Sequence, residues 1–107
     1  LGTRYTMQEA FYRDTLAQAG IRTIIPEEKD ILIIDRVIFQ ELCVGVVSEK
    51  SKAALSAIIQ KLVKQGAEGV LLACTELGML LNEEDAAVPL FDTAYLHAKK
   101  AALLALA

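Results

Sequence analysis

Three polar side chains that can exchange protons or bind ions stand together after a short apolar run. Residues 69–73 are small or apolar, and Cys74, Thr75 and Glu76 follow them directly. Such a run is typical of a buried strand followed by a helix, and in an open α/β sheet that junction usually holds the ligand site. We therefore expect Cys74 at the start of a helix, where thiol pKa values are lowered.

Each of these residues also has a purely structural interpretation. A free cysteine is most often a small buried hydrophobe, Thr75 alone would serve as a helix N-cap, and Glu76 would complement a helix dipole. The structural and chemical roles are compatible, because the free N–H groups at a helix start also bind a carboxylate.

Two other junctions carry polar residues. Thr3 follows what reads as the end of a first strand, and it would share a sheet edge with Cys74 if the two strands are adjacent; an ordinary turn explains it equally well. Asp92 and Thr93 follow a third apolar run, and His97 lies four residues after Thr93 on the same helical face. His97 is either aimed at the sheet edge or is an ordinary surface or core histidine.

Several kinds of site are excluded by residue counts and spacing. His97 is the only histidine, which excludes a multi-histidine metal site. The isolated glycines match neither a Walker A loop nor a dinucleotide-binding turn. Cys43 lies near the end of a predicted helix without polar neighbours, and we expect it in the core.

Apolar spacing and turn residues divide the chain into alternating helices and strands. Thr6 with Glu9 fits a capping box, Asp30 would cap the second helix, and Ser48 or Ser51 the third. The predicted helices are residues 6–19, 34–42, 48–65, 75–81 and 93–107. The predicted strands are a stub at 1–3 and residues 21–25, 69–73 and 87–91. Residues 31–34 could alternatively form a strand, and residues 82–86 are predicted to be a loop. This order predicts an α/β fold with an open parallel sheet of about four strands flanked by helices.

Composition limits the classes of partner. The chain has 107 residues, 54% of them apolar, and a net charge of −3; it is long enough for one domain and too apolar for disorder. The basic residues form no stripe, so we expect no nucleic-acid partner, and no run is long enough to span a membrane. Two cysteines without a signal segment predict reduced thiols and a cytoplasmic protein. The apolar start without Met indicates a fragment of a longer chain.

Four segments taken together carry a family resemblance. They are residues 1–7, Gln40-Glu41-Leu42, residues 66–77 with the Cys74-Thr75-Glu76 element, and Phe91-Asp92-Thr93 with His97. In this order they resemble the C-terminal half of an aspartate/glutamate racemase, most closely the bacterial acidic or broad-specificity amino-acid racemases. The resemblance runs along nearly the whole chain.

The resemblance implies a cofactor-independent, two-base racemase made of two similar Rossmann-like α/β lobes with the active site between them. Cys74 would be the acid/base residue of the C-terminal lobe, and the missing N-terminal lobe would supply the second. Thr3 and Thr75 would bind the carboxylate of the amino-acid substrate. Glu76 would bind its ammonium group or position the thiol, and His97 would contact the thiol or an acidic side chain.

On this interpretation the fragment alone is inactive. It would expose the apolar surface that meets the other lobe, which favours a homo-oligomer such as a dimer, and the helix at residues 93–107 would pack on the missing lobe. Two alternatives remain: a related isomerase, hydantoin racemase or decarboxylase using the same cysteine, and a non-catalytic α/β binding domain in which Cys74 is core.

Overall fold

The computed structural model describes residues 1–106 as a helix-rich α/β fold around a small parallel sheet. Strand β1 (Val70–Leu72) pairs with strand β2 (Leu90–Asp92), with Leu71 opposite Phe91. The predicted α/β class and parallel pairing are confirmed. The predicted sheet of about four strands is not, because two strands form within the described residues.

Helices make up most of the remaining described chain. They are α1 (Arg4–Gln8), α2 (Ala10–Gln18), α3 (Glu28–Gln40), α4 (Glu49–Lys64), α5 (Leu77–Leu80) and α6 (Thr93–Leu106), with single 3₁₀ turns at Leu42–Val44 and Glu83–Asp85. Among residues 1–106, no helix combines the length and the apolar character needed to cross a membrane.

Helices α3 and α4 supply most of the hydrophobic core. Apolar residues recur at three- and four-residue spacing along one face of each helix, which is the pattern of a helix packed on one side. The buried members are Ile31, Ile34, Val37 and Ile38 in α3 and Leu55, Ile58, Ile59 and Leu62 in α4. They pack in one cluster with Val70 and Leu72 of β1 and with Leu77 of α5. The two helices therefore pack against β1 of the sheet.

An ion pair between a buried carboxylate and a half-exposed amine joins α3 to α4. The carboxylate of Asp30 is 4% exposed and accepts a hydrogen bond from Lys61 Nζ at 3.0 Å. This pairing raises the pKa of the Lys61 amine. A buried carboxylate without such a partner would be strongly unfavourable. Asp30 thus lies inside the helix and does not cap it as predicted; Glu27 occupies the N-cap position.

The caps of two other helices distinguish between the sequence alternatives. Ser48 caps α4 by accepting a hydrogen bond from the Ser51 N–H, as one of the two predictions had it. At the start of the chain Thr3, and not Thr6, is the N-cap. The predicted single helix over residues 6–19 is interrupted at Glu9, whose backbone is extended (φ −76°, ψ 137°), so the predicted Thr6–Glu9 capping box does not form.

Residues 21–25 were predicted as a strand, and that prediction is wrong: they are irregular. Ile21 and Ile24 are 49% and 41% exposed, and the Ile21 N–H bonds back to the Leu16 carbonyl. A strand is stable only beside a partner strand. On this side of β1 the backbone bonds are made with Leu1, whose nitrogen donates to the Leu71 carbonyl.

Cys43 is exposed, contrary to the prediction that it belongs to the core. Helix α3 ends at Gln40, and the chain continues into the 3₁₀ turn Leu42–Val44. The change of helical pitch leaves Leu42 buried at 2% exposure and turns Cys43 outward. The prediction rested on the absence of polar neighbours near a helix end, which carries no information about this change of pitch.

The packing of α4 leads to a stability prediction. Leu55 is 0% exposed, so Leu55→Ala should leave a cavity and lower the free energy of unfolding by about 2–5 kcal/mol. The control Leu32→Ala, at a 46% exposed position of α3, should change it by about 0.5 kcal/mol or less. Urea unfolding followed by circular dichroism measures both, and equal losses would show that α4 is not the core helix.

Candidate functional site

Three chain segments end at one edge of the sheet because they run parallel. Leu1 pairs with β1 as the next parallel strand would: its nitrogen donates to the Leu71 carbonyl at 2.6 Å, and its carbonyl accepts from the Ala73 N–H at 2.7 Å. Thr3, Cys74 and the start of α6 therefore follow three paired segments at the same end. A hydrogen bond also joins the start of α6 to β1, because Thr93 Oγ1 donates to the Leu72 carbonyl at 3.0 Å.

A close backbone contact holds the Thr3 loop beside β1. Gly2 is buried, and a Cβ there would stand 3.2 Å from the Thr6 side chain and 3.6 Å from Ala73 Cβ. The Thr3 hydroxyl accepts from the Thr6 N–H at 3.4 Å and lies 3.3 Å from the Thr6 hydroxyl. Thr3 is thus at the predicted edge, and its side chain also caps α1.

Cys74, Thr75 and Glu76 form one hydrogen-bonded cluster. Cys74 Sγ donates to Glu76 Oε2 at 2.9 Å, and Thr75 Oγ1 donates to the same oxygen at 2.7 Å. Thr75 is not the cap of α5, as one interpretation had it; Glu76 occupies that position without a side-chain cap bond. Cys74 is half-buried.

The electrostatics of the cluster are opposite to those predicted. Burial, and after it the hydrogen bond to the negatively charged Glu76 side chain, together raise the pKa of the Cys74 thiol to about 11. The same thiol and Thr75 donate to Glu76 and lower the pKa of its carboxyl group. The predicted thiol of low pKa is therefore wrong for this state. Helix α5 is a single turn, so its dipole does not outweigh burial and an adjacent carboxylate.

Asp92 is an additional polar residue at this edge. Its Oδ1 accepts from the Tyr95 N–H at 3.1 Å and so caps α6. A Cβ on Gly78 would stand only 2.7 Å from its Oδ2, so β2 and α5 approach closely here. The sequence placed Asp92 and Thr93 where a strand ends and a helix begins, and the structure has β2 end at Asp92 and α6 begin at Thr93.

His97 is not part of the cluster. It lies on α6 and is exposed, and its side chain makes no hydrogen bond or ion pair with residues 1–106. Its predicted role at the site remains a prediction. Within the same described range, no group of three His, Cys, Asp or Glu side chains is close enough to hold a metal ion.

The raised thiol pKa predicts slow alkylation of Cys74. In a Cys43→Ser background, the rate with iodoacetamide should rise about tenfold per pH unit up to the pKa of about 11, because only the thiolate reacts. Glu76→Gln removes the neighbouring negative charge, so it should lower the thiol pKa and speed alkylation at pH 8. Glu83→Gln, which removes an equal charge from an exposed turn, serves as the control. Mass spectrometry of the modified peptide gives the rates. A flat pH profile near neutrality would contradict the assigned electrostatics.

The contact between α5 and β2 predicts a coupled pair of substitutions. Gly78→Ala should gain about 1 kcal/mol from helix propensity, but its Cβ would displace Asp92 and weaken the cap of α6, which is worth about 1 kcal/mol. In an Asp92→Ala background the displacement is absent, and Gly78→Ala should then be stabilising. A double-mutant cycle from urea unfolding measures the coupling, and strictly additive effects would contradict it.

Comparisons with known proteins agree with this geometry. The family model described as Asp/Glu/hydantoin racemase matches residues 1–101. A protein from Yersinia pestis, whose crystal structure is described as that of a candidate Asp/Glu racemase, is 46% identical in sequence and superposes with a TM-score of 0.94. The match includes 100% of this chain and 47% of that protein. The crystal structure of an aspartate racemase homologue from Pyrococcus horikoshii OT3 is 35% identical with a TM-score of 0.91 and the same coverage. The chain thus spans about half the length of these relatives. It belongs to the Asp/Glu/hydantoin racemase family.

Proposed function

We propose that this chain forms one wall of the active site of a cofactor-independent amino-acid racemase, in which Cys74 transfers a proton at the Cα of aspartate or glutamate. The observation that carries the proposal is the half-buried thiol of Cys74, bound to the Glu76 carboxylate at 2.9 Å where β1 ends, in a chain of a racemase family. A cysteine that only fills space in the core needs no hydrogen bond to a charged group at a sheet edge.

The protonation state of the Cys74 thiol decides whether this residue acts as an acid or as a base in the first step. With a pKa of about 11 the Cys74 thiol carries its proton at neutral pH and acts as the general acid. A base on the second lobe removes the Cα proton from one face of the substrate, and the electron pair remains on Cα. Cys74 donates its S–H proton to the opposite face and is left as a thiolate. In the reverse direction the thiolate takes the proton back.

The neighbours of Cys74 suit an amino-acid substrate. The hydroxyls of Thr3 and Thr75 and nearby N–H groups would bind the substrate carboxylate and stabilise the charge that develops beside it. Glu76 would bind the ammonium group. A cation there would offset the carboxylate charge that raises the thiol pKa, so substrate binding would ease formation of the thiolate. His97 would contact the acidic side chain of the substrate.

Helix α6 is the proposed contact to the second lobe. Within its described length it has no buried residue, and its apolar side chains point outward. The exposed ones are Tyr95, Leu96, Leu103, Leu104 and Leu106. A single exposed helix this apolar requires a covering surface. The second lobe, which would bring the other acid/base residue, is the proposed cover, and a homodimer is a further expectation.

The test is exchange of the Cα proton in heavy water, followed by NMR with L- and D-aspartate and L- and D-glutamate. The full-length protein carrying this lobe should exchange and racemise one pair. Cys74→Ser should lower the rate by about 10²-fold or more, because a positioned acid/base group contributes about that much. Cys43→Ser makes the same chemical change at an exposed turn and should keep the parent rate.

The family description also names hydantoin racemase, so 5-substituted hydantoins belong in the same assay. The parent protein could exchange only a hydantoin, and Cys74→Ser could abolish that exchange. This result would support the proposed role of the cysteine and would change the substrate class from amino acids to hydantoins. Exchange of no substrate by the folded parent would overturn the racemase proposal and leave a binding domain.

A further inference from the structure

Cys74 lies on a short link between β1 and α5. The link is residues 73–76, which join the end of β1 at Leu72 to the start of α5 at Leu77 and form neither a helix nor a strand. The Leu77 N–H donates to the Cys74 carbonyl at 3.1 Å, so the link makes a single turn. A segment of this kind is positioned by the elements around it. The direction of the thiol therefore depends on what holds the two ends of the link.

The start of α6 holds the first end of the link. Leu72 and Asp92 are the last paired residues of the sheet, and beyond them the Thr93 hydroxyl donates to the Leu72 carbonyl at 3.0 Å. Leu72 is buried and Thr93 is half-buried. A carbonyl in such a place is costly to leave without its donor. This side-chain bond fixes the chain two residues before Cys74.

The residue before Thr93 contacts the second end of the link. A Cβ on Gly78, the second residue of α5, would stand 2.7 Å from Asp92 Oδ2. The other carboxylate oxygen of Asp92 accepts from the Tyr95 N–H at 3.1 Å, so the carboxylate is held by α6. Two consecutive residues at the start of one helix thus contact the chain on both sides of Cys74.

We propose that Thr93 is a positioning residue for Cys74, because its hydroxyl fixes the Leu72 carbonyl at the first end of the link. Asp92 braces the second end. Held at both ends, the link keeps the thiol half-buried and 2.9 Å from Glu76 Oε2. The inference rests on the proposed function only for its effect on racemisation, since the place of the thiol can be measured without turnover.

Loss of the Thr93 hydroxyl has a definite electrostatic consequence. Burial and the Glu76 carboxylate are the two main causes that raise the pKa of the Cys74 thiol, and both depend on where the link lies. A link released at one end would expose the sulfur and separate it from the carboxylate. The thiol pKa should then fall toward its ordinary value, and the thiolate should become more abundant at a given pH.

The experiment compares Thr93→Val, which keeps the shape of the side chain and removes the hydroxyl, with Thr93→Ser, which keeps the hydroxyl. Both are made in the full-length protein carrying this lobe and Cys43→Ser. Alkylation of the Cys74 peptide by iodoacetamide is followed by mass spectrometry. Thr93→Val should speed alkylation at pH 8 by about tenfold, because a thiol pKa about one unit lower gives about ten times more thiolate. Thr93→Ser should keep the parent rate. Thr15→Val, which removes a hydroxyl that donates to the Phe11 carbonyl on α2, is the matched control.

An unchanged alkylation rate in Thr93→Val would overturn the proposal, and so would an equal acceleration in Thr93→Ser. Circular dichroism shows whether each variant folds. If valine prevents folding, Thr93→Ala compared with Thr93→Ser gives the same test.

Racemisation supplies a second readout in the same variants. Thr93→Val should lower kcat by about tenfold or more and leave KM nearly unchanged, because a misplaced acid/base group slows the chemical step while Thr93 itself does not contact the substrate. A fall in kcat equal to that of Thr15→Val would contradict the positioning role. A parent that exchanges no substrate would overturn the proposed racemase, and the alkylation rates would still decide the role of Thr93.

Discussion

The parallel pairing along β1 is the constraint on which the rest of the molecule depends. Parallel strands end on the same side, so the segments after Leu1, after Leu72 and after Asp92 are brought to one edge although they are far apart in the chain. The pairing is short and would be marginal alone. It persists because α3 and α4 bury an aliphatic surface against the inner face of β1.

The hydrogen bond from Cys74 to Glu76 sets the chemistry of that edge. Half-burial and a neighbouring carboxylate both disfavour a thiolate, so the sulfur is held as a proton donor. The same hydrogen bonds lower the pKa of the Glu76 carboxyl group, so it stays ionised and can bind a cation. In the racemase proposed above, this wall would supply one proton donor, and inversion at carbon would need a second group on the opposite face. The proposed binding of a substrate ammonium group to Glu76 would change the charge balance near Cys74.

The sheet and the helix α6 are both incompletely covered within residues 1–106. Residues 21–25 have a strand composition but remain irregular, because β-structure depends on a neighbour more than on local preference. Helix α6 forms from local propensity in an alanine- and leucine-rich segment, yet it has no buried residue. These two features lie in different parts of the fold, and each reflects the absence of a covering partner within residues 1–106.

Much of the fold and the candidate cluster followed from the sequence alone. The 3.6-residue spacing of aliphatic side chains predicted α4 and part of α3, which begins earlier than predicted, at Glu28. Ser48 was one of two predicted caps of α4, and the run before Cys74 predicted β1. The resemblance in residues 66–77 identified the family that the comparisons establish. These features are local, because periodicity and capping depend on residues within a few positions of one another.

Only the tertiary structure decided the remainder. The strand predicted at residues 21–25 needed a partner edge, the exposure of Cys43 depended on a change of helical pitch after α3, and the place of Asp30 depended on Lys61 across the helix pair. The thiol pKa of Cys74 depended on how deeply the sulfur is buried and on where the Glu76 carboxylate turns. Each of these is set by groups brought together through packing, and spacing along the chain carries no information about that distance or burial.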